Sequence, residues 1–196
     1  MTAKPLVKEL ISKSNEEIMS LLGGIYEHSS WVAEELLQRT AGLDSLETVS
    51  QLASAMKTIV DSSSKERKLE LLCAHPDLCE KVSTMKELTK ESQEEQSSAG
   101  LQSLTESELE RFTKTNTAYR AKFCFPFILA VRNATKFTVL AALEGRLSNP
   151  VEQEFVNALT QVHKIAWMRL LSAINTEEAK GFLTCHVLDT ANGCPG

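Results

Sequence analysis

The sequence predicts an all-α fold: a single helical domain of about eight helices with a short strand-like C-terminal tail. Three observations carry this expectation. Apolar residues recur at helical spacing in nearly every segment. Capping signatures, Ser or Thr followed three residues later by Glu, mark segment starts. No convincing alternating stretch occurs before residue 182. With 196 residues, 42% of them apolar, the chain suffices for one well-filled core and is short for two full domains. The expected division is 1–179 for the helical domain and 180–196 for the incomplete start of another unit.

Taken in order, Ser14 with Glu17 opens a helix carrying Ile18, Met19, Leu21 and Leu22, and Gly23-Gly24 weakens its end. A second helix starts near Ser29 or Ser30, carries Trp31, Val32, Leu36 and Leu37, and stops at Gly42. The third, about Ser45 to Val60, puts Leu46, Val49, Leu52, Ala53, Met56, Ile59 and Val60 on one face. A fourth carries Leu69, Leu71, Leu72 and Cys73; Pro76 disfavours helical backbone at His75 and ends it. Residues 79–91 are charged and loop-like, and a helix begins at Ser92. Thr105 with Glu108 opens a longer helix to about Phe123, where Phe125-Pro126-Phe127 breaks the pattern. A further helix carries Phe137, Val139, Leu140, Ala142 and Leu143 to about Leu147. Asn149 as cap and Pro150 in the first helical position open the last helix, to about Asn175. Residues 182–190 then read as a single strand with nothing to pair with.

Composition excludes several classes. A net charge of −5 without a basic stripe argues against nucleic acid. No apolar run approaches the roughly 20 residues that span a bilayer. The five cysteines, Cys73, Cys79, Cys124, Cys185 and Cys194, are odd in number and lack Cys-x-x-Cys spacing, so they read as free thiols. No His/Cys/carboxylate cluster has metal-ligand spacing, so no metal is expected.

The candidate chemistry centres on His75 to Leu101. His75, held by a following proline, suits proton transfer near neutrality; a helix-terminal histidine satisfied by carbonyls is the competing reading. Ser92-x-x-Glu95 is a capping box, and a helix N-terminus also presents free N–H groups to an anion. Arg169 lies on the line Phe155, Val162, Arg169, with Leu159 and Ala166 on the same stripe. An arginine in an apolar seam is costly unless it is paired or presented to a ligand; snorkelling at the edge of the seam is the competing reading. The Phe123-Cys124-Phe125-Pro126-Phe127-Ile128 run reads first as core and second as a pocket wall. His28 and His163 read as surface or capping residues on helices.

These residues, as an ordered set, resemble the cofactor-free 2-oxo-4-hydroxy-4-carboxy-5-ureidoimidazoline (OHCU) decarboxylases of urate degradation, all-helical enzymes that form (S)-allantoin. The matching segments are His28 to Glu34, His75-Pro76-Asp77-Leu78, Leu88 to Gln96, and Ala99-Gly100-Leu101. Asn116, Tyr119, Lys122, Phe123, Phe125 to Phe127 and Arg169-Leu170 follow in order. The resemblance implies His75 as proton donor and acceptor and Glu95 as a carboxylate beside the substrate. It implies substrate contacts from Pro76, from Ser92, Gln93, Glu94, Glu95 and Gln96, from the backbone of Phe127, Ile128, Leu129, Ala130 and Val131, and from Arg169. Three departures stand out: Cys124 replaces a usual glycine, Cys79 a usual alanine, and Thr115 a leucine. Cys124 is expected to narrow the aromatic loop where that backbone needs a positive φ.

The tail, Leu183 to Ala191 with Gly193 and Pro195, resembles the first strand of the transthyretin-like 5-hydroxyisourate hydrolases, with His186 at a catalytic position there. The chain is thus expected to be the decarboxylase half of a fusion, as in allantoin synthases. Besides the small-molecule substrate, the expected partners are a second copy in a homodimer and a fused or associated hydrolase. Peroxisome and cytoplasm are both open, because Cys194-Pro195-Gly196 is not a Ser-Lys-Leu type signal. The competing function is a non-catalytic helical interaction module that kept the fold.

Overall fold

The computed structural model describes residues 4–38, 43, 45–78, 103–132 and 134–176, together with the two short strands of the tail. Among them a 3-10 turn, Val7–Ser12, precedes seven α-helices. These are α1 (Asn15–Leu22), α2 (Trp31–Gln38), α3 (Val49–Ser62), α4 (Lys65–Ala74), α5 (Glu106–Phe123), α6 (Lys136–Leu147) and α7 (Val151–Ala173). None of the described helices is long and apolar enough to cross a membrane. The expected loop 79–91, the helix from Ser92, and the stop at Gly42 lie outside the described residues.

Local capping chemistry sets most boundaries. Ser14 accepts from Glu17 N while Glu17 accepts from Ser14 N at 2.9 Å, the reciprocal box expected there. Thr105 and Glu108 do the same for α5. Two starts differ from expectation. α3 begins after Thr48 and not at Ser45, because the Gln51 side chain accepts from both Thr48 N (3.0 Å) and Glu47 N (2.8 Å). Ser45 has no Glu or Gln three residues on to complete such a box. α7 is capped by Pro150 and not by Asn149. The Asn149 amide donates to Glu154 Oε2 at 2.7 Å, so its side chain is occupied inside the fold. α7 also ends at Ala173, two residues early, and the Asn175 amide donates to Pro5 O at 2.8 Å, which joins the two ends of the described domain.

α7 is the central element and packs against α3, α4 and α5. Its Ala158, Val162 and Leu170 are fully buried or nearly so, as are Leu52, Met56 and Ile59 of α3. On α5 the stripe Phe112, Asn116, Tyr119 and Phe123 is buried. Fully burying a large apolar side chain stabilises by about 1.5–3 kcal/mol. An exposed ion pair such as Arg111–Glu144 on the opposite face contributes about 0.2–1 kcal/mol. The aromatic stripe therefore holds α5 in place. Phe137 departs from the expected apolar face of α6: it is exposed, with Lys136 Nζ 5.2 Å from its ring.

The tail strand does find a partner. Leu188–Asp189 pairs antiparallel with Cys194–Pro195, Leu188 opposite Pro195 and Asp189 opposite Cys194. The ladder that the expected lone strand lacked is supplied by this second short strand. His186 lies outside the described residues.

Glu154, fully buried in α7, is the best-connected charge in the core. It accepts from Arg146 Nε (2.7 Å), Asn149 Nδ2 (2.7 Å) and the Tyr119 hydroxyl. Burial alone would raise its pKa, but the hydrogen bonds from Arg146, Tyr119 and Asn149 and the Arg146 charge hold it below the ordinary carboxylate value. Glu154→Ala is expected to destabilise by about 3 kcal/mol, because it strips the partners of a buried pair. Urea unfolding measures this. The sign in pH follows from a depressed carboxyl: the stabilisation is complete at neutral pH and is lost as pH falls below the ordinary value and through the lower folded one. The variant's own loss of stability on acidification should accordingly be shallower than the parent's.

Candidate active site

His75 is the C-cap of α4, with extended backbone (φ −70°, ψ 133°), as the following Pro76 requires. Its ring is buried, 6% exposed, and Nδ1 lies 3.1 Å from Leu71 O. A carbonyl only accepts, so Nδ1 carries the hydrogen and Nε2 is the basic nitrogen of the neutral ring. The carbonyl-satisfied reading of His75 holds: Leu71 O accepts from one ring nitrogen, and that bond fixes the tautomer of the neutral ring.

Two residues on, Asp77 is buried and clamped from α5. Asn116 Nδ2 donates to both carboxylate oxygens, at 2.9 and 3.1 Å, and Arg120 Nη1 reaches Oδ2 at 3.1 Å. Asn116 and Arg120 are one helical turn apart, so a single face of α5 grips the loop that carries His75 and half-buried Pro76. The amide that holds Asp77 leaves Asn116 Oδ1 buried without a hydrogen-bond partner.

The aromatic segment is core, as expected, and positions an extended strip of backbone beside it. Tyr119 sits among Phe123, Phe125 and Phe127 at ring-centroid distances of 4.5, 6.2 and 5.3 Å. Phe127, Ile128 and Val131 are buried, and Leu129 and Ala130 are half-buried. Arg146 Nη1 donates to Ile128 O at 2.8 Å, Ala130 N donates to Gln161 Oε1 at 3.2 Å, and Val131 O accepts from Ala134 N at 2.9 Å. Cys124, just before this segment, does adopt the left-handed conformation, φ 64°. Its side chain is exposed, however, so it points away from the aromatic cluster and does not narrow it.

Arg169 is buried, 5% exposed, and Nη2 lies 2.9 Å from Glu27 Oε2, with Glu27 itself 3% exposed. Nη1 also approaches Gly24 O at 3.4 Å. The arginine neither snorkels nor stands bare in the seam; it is one half of a buried ion pair between α7 and the turn after α1. Ser92, Gln93, Glu94, Glu95 and Gln96 lie outside the described residues.

Sequence reasoning assigned no role to Glu27, Asp77 or Gln161. An arginine in an apolar seam does call for a buried carboxylate, but Glu27 is 142 positions away and no spacing points to it. The two helix histidines also differ from expectation. His28 is exposed in a turn with φ 51°, not on a helix. His163 is largely enclosed, with Nδ1 2.9 Å from the Tyr26 hydroxyl and Nε2 3.1 Å from Asp61 Oδ1. Burial lowers its pKa, partly offset by Asp61, so the neutral ring donates to Asp61 and accepts from Tyr26. Beside it lies a cavity of about 200 Å³, lined by residues that include Lys57, Ser54 and Trp167.

A family model described as OHCU decarboxylase matches residues 12–171. The 2-oxo-4-hydroxy-4-carboxy-5-ureidoimidazoline decarboxylase of Haloferax volcanii is 40% identical over 163 residues, which cover 83% of this chain and 92% of that protein. The Uric acid degradation bifunctional protein PucL of Bacillus subtilis is 37% identical over 166 residues, 85% of this chain but 32% of that one. A crystal structure of (S)-allantoin synthase superposes with a TM-score of 0.77 at 62% identity; the match covers 97% of this chain, which spans 62% of the synthase chain.

The ion pair makes Arg169 separable from a pure ligand-binding role. Arg169→Ala is expected to destabilise by about 3–5 kcal/mol, since it removes one half of a buried ion pair. Glu27→Gln combined with Arg169→Met should regain most of that loss. Thermal and urea unfolding of the single and double variants give the coupling; independent, additive losses would mean that the pair does not hold α7 to the turn.

Proposed function

The chain belongs to the OHCU decarboxylase family, and from that membership we propose that His75 carries the proton in its reaction. The reaction is decarboxylation of OHCU to (S)-allantoin in urate degradation, a carboxy-lyase activity. Breaking the bond to the carboxylate leaves an electron pair that the neighbouring ring carbonyl and nitrogens accept. The chemistry therefore asks of the protein only two things: hold the leaving carboxylate out of the ring plane, and protonate one face of the resulting carbanion or enolate.

The observation that carries the proposal is the Nδ1 bond of His75 to Leu71 O in a buried ring. It supports Nε2 as the nitrogen that receives and returns the proton, from one direction and away from bulk water. Pro76 and the Asp77 clamp restrict the loop to that orientation. Glu95 is proposed as the carboxylate beside the substrate. Ser92 to Gln96, the backbone from Phe127 to Val131, Pro76 and Arg169 are proposed as the substrate's other neighbours, with Arg169 stiffened by Glu27. In the same way we propose that the decarboxylase works with a 5-hydroxyisourate hydrolase, fused or associated. The bifunctional relative and the synthase structure support this, since each is longer than the segment shared with this chain.

His75→Asn keeps size and some hydrogen bonding but removes the titrating nitrogen. Turnover of freshly generated OHCU is expected to fall by about 10²-fold or more, with unchanged far-ultraviolet circular dichroism. Allantoin chirality, followed by its own dichroism, should shift from enzymatic (S) product toward the racemate of the spontaneous reaction. An unchanged rate removes His75 from proton transfer and favours a non-catalytic module.

A further inference from the structure

The end of α4 and the end of α5 bring two thiols together outside the proposed chemistry. Cys73 Sγ lies 3.7 Å from the carbonyl oxygen of Cys124, and both residues are exposed. Among the described residues these are the two free cysteines; Cys79 lies outside them. The surrounding geometry is rigid. The Cys124 amide donates to Arg120 O at 2.9 Å, and Arg120 in turn grips Asp77, two residues past His75. Cys73 lies two residues before His75, and Cys124 one before Phe125 of the aromatic cluster. The two thiols therefore flank the loop that carries His75, one on each of the elements that hold it.

We propose that Cys73 and Cys124 form a reversible intramolecular disulfide, a modification site whose oxidant is a small-molecule disulfide of the glutathione type. One cysteine thiolate attacks a sulfur of the small disulfide, whose S–S bond breaks and releases one thiol. The second cysteine thiolate then attacks the mixed disulfide at the protein sulfur and releases the second small thiol. The two cysteines lose two protons and two electrons, and the small disulfide gains them as two thiols. Burial raises the Cys73 thiol above its ordinary value, Arg120 offsets part of that, and the neighbouring Cys124 adds a smaller upward push. The charge of one thiolate is thus felt at the other. The closed bond holds the two Cα atoms about 4.4–6.8 Å apart, so it ties the last turn of α4 to the α5 cap. That turn contains Leu71, whose carbonyl sets the His75 ring.

Formation of the bond is independent of the reaction; its effect on turnover rests on the proposed role of His75. The whole chain is incubated with oxidised glutathione, digested without reductant, and mapped by mass spectrometry. The Cys73 and Cys124 peptides are expected as one linked species that dithiothreitol separates. Decarboxylation should fall about tenfold or more on oxidation and return with reductant, because small displacements of a positioned group are costly. Cys73→Ser and Cys124→Gly should each turn over like the reduced parent and ignore the oxidant. Separate peptides, a glutathione adduct alone, or linkage to Cys79 would overturn the proposed site. Linkage without a change in rate would overturn its connection to His75. Linkage in a chain with no decarboxylase activity would leave the disulfide standing and sink the reading of His75.

Discussion

The two buried charges of α7 constrain the rest of the molecule. Glu154 and Arg169 sit in the same helix, fifteen residues or about 22 Å apart at the usual helical rise. Each costs several kcal/mol to dehydrate unless it is matched. Glu154 finds Arg146 at the end of α6; Arg169 finds Glu27 in the turn after α1. The apolar seam between them, Leu159, Val162 and Ala166, supplies burial but little register, since dispersion and the hydrophobic effect are non-directional. Sliding α7 by one turn would still bury comparable apolar area, yet it would break both ion pairs. The pairs thus fix where the helix stands along its axis, and α3, α4 and α5 pack on it in that register.

The orientation of His75 builds on this frame at shorter range. α4 is carried by α7, and Pro76 stops it at a defined residue. The Leu71 carbonyl, at the helix end, is one of the groups that the helix itself leaves without a partner. His75 supplies the missing donor through Nδ1. The hydrogen bond that meets a structural need of the helix terminus also fixes the tautomer on which the proposed role of His75 rests. The Asp77 clamp then ties the exit of the loop to α5. The loop that bears the ring is held from both sides by bonds that involve no substrate.

How much of this is legible in the sequence depends on the range of the interaction. Capping boxes act over three residues, so Ser14–Glu17 and Thr105–Glu108 could be read directly, as could the stop before Pro76. Asn149 misled because an asparagine before Pro150 has the pattern of a cap, whereas its amide is recruited by Glu154 five residues on. Ser45 misled for want of the side-chain partner that Thr48 has in Gln51. The placement of His75 at the end of α4 was legible through a local rule, but the contacts around it were not. Asp77 meets Asn116 across 39 positions, His163 meets Asp61 across 102, and Arg169 meets Glu27 across 142. Such pairings depend on how the helices dock, and periodicity says nothing about that.

Cys124 shows how a residue can break a local rule without damaging the fold. A left-handed conformation costs a non-glycine residue about 1 kcal/mol, and here it is required because the chain must leave α5 sharply to place Phe125 and Phe127 against Tyr119. Burial of those aromatics is worth several times that cost, so the turn holds with either residue. Glycine would relieve the strain but would add freedom to the unfolded chain, which offsets part of the gain. The net effect of a cysteine on shape and stability is therefore small. What the substitution changes is chemistry: it sets an exposed thiol at the one turn where the aromatic core, the Asp77 clamp and the last turn of α4 meet.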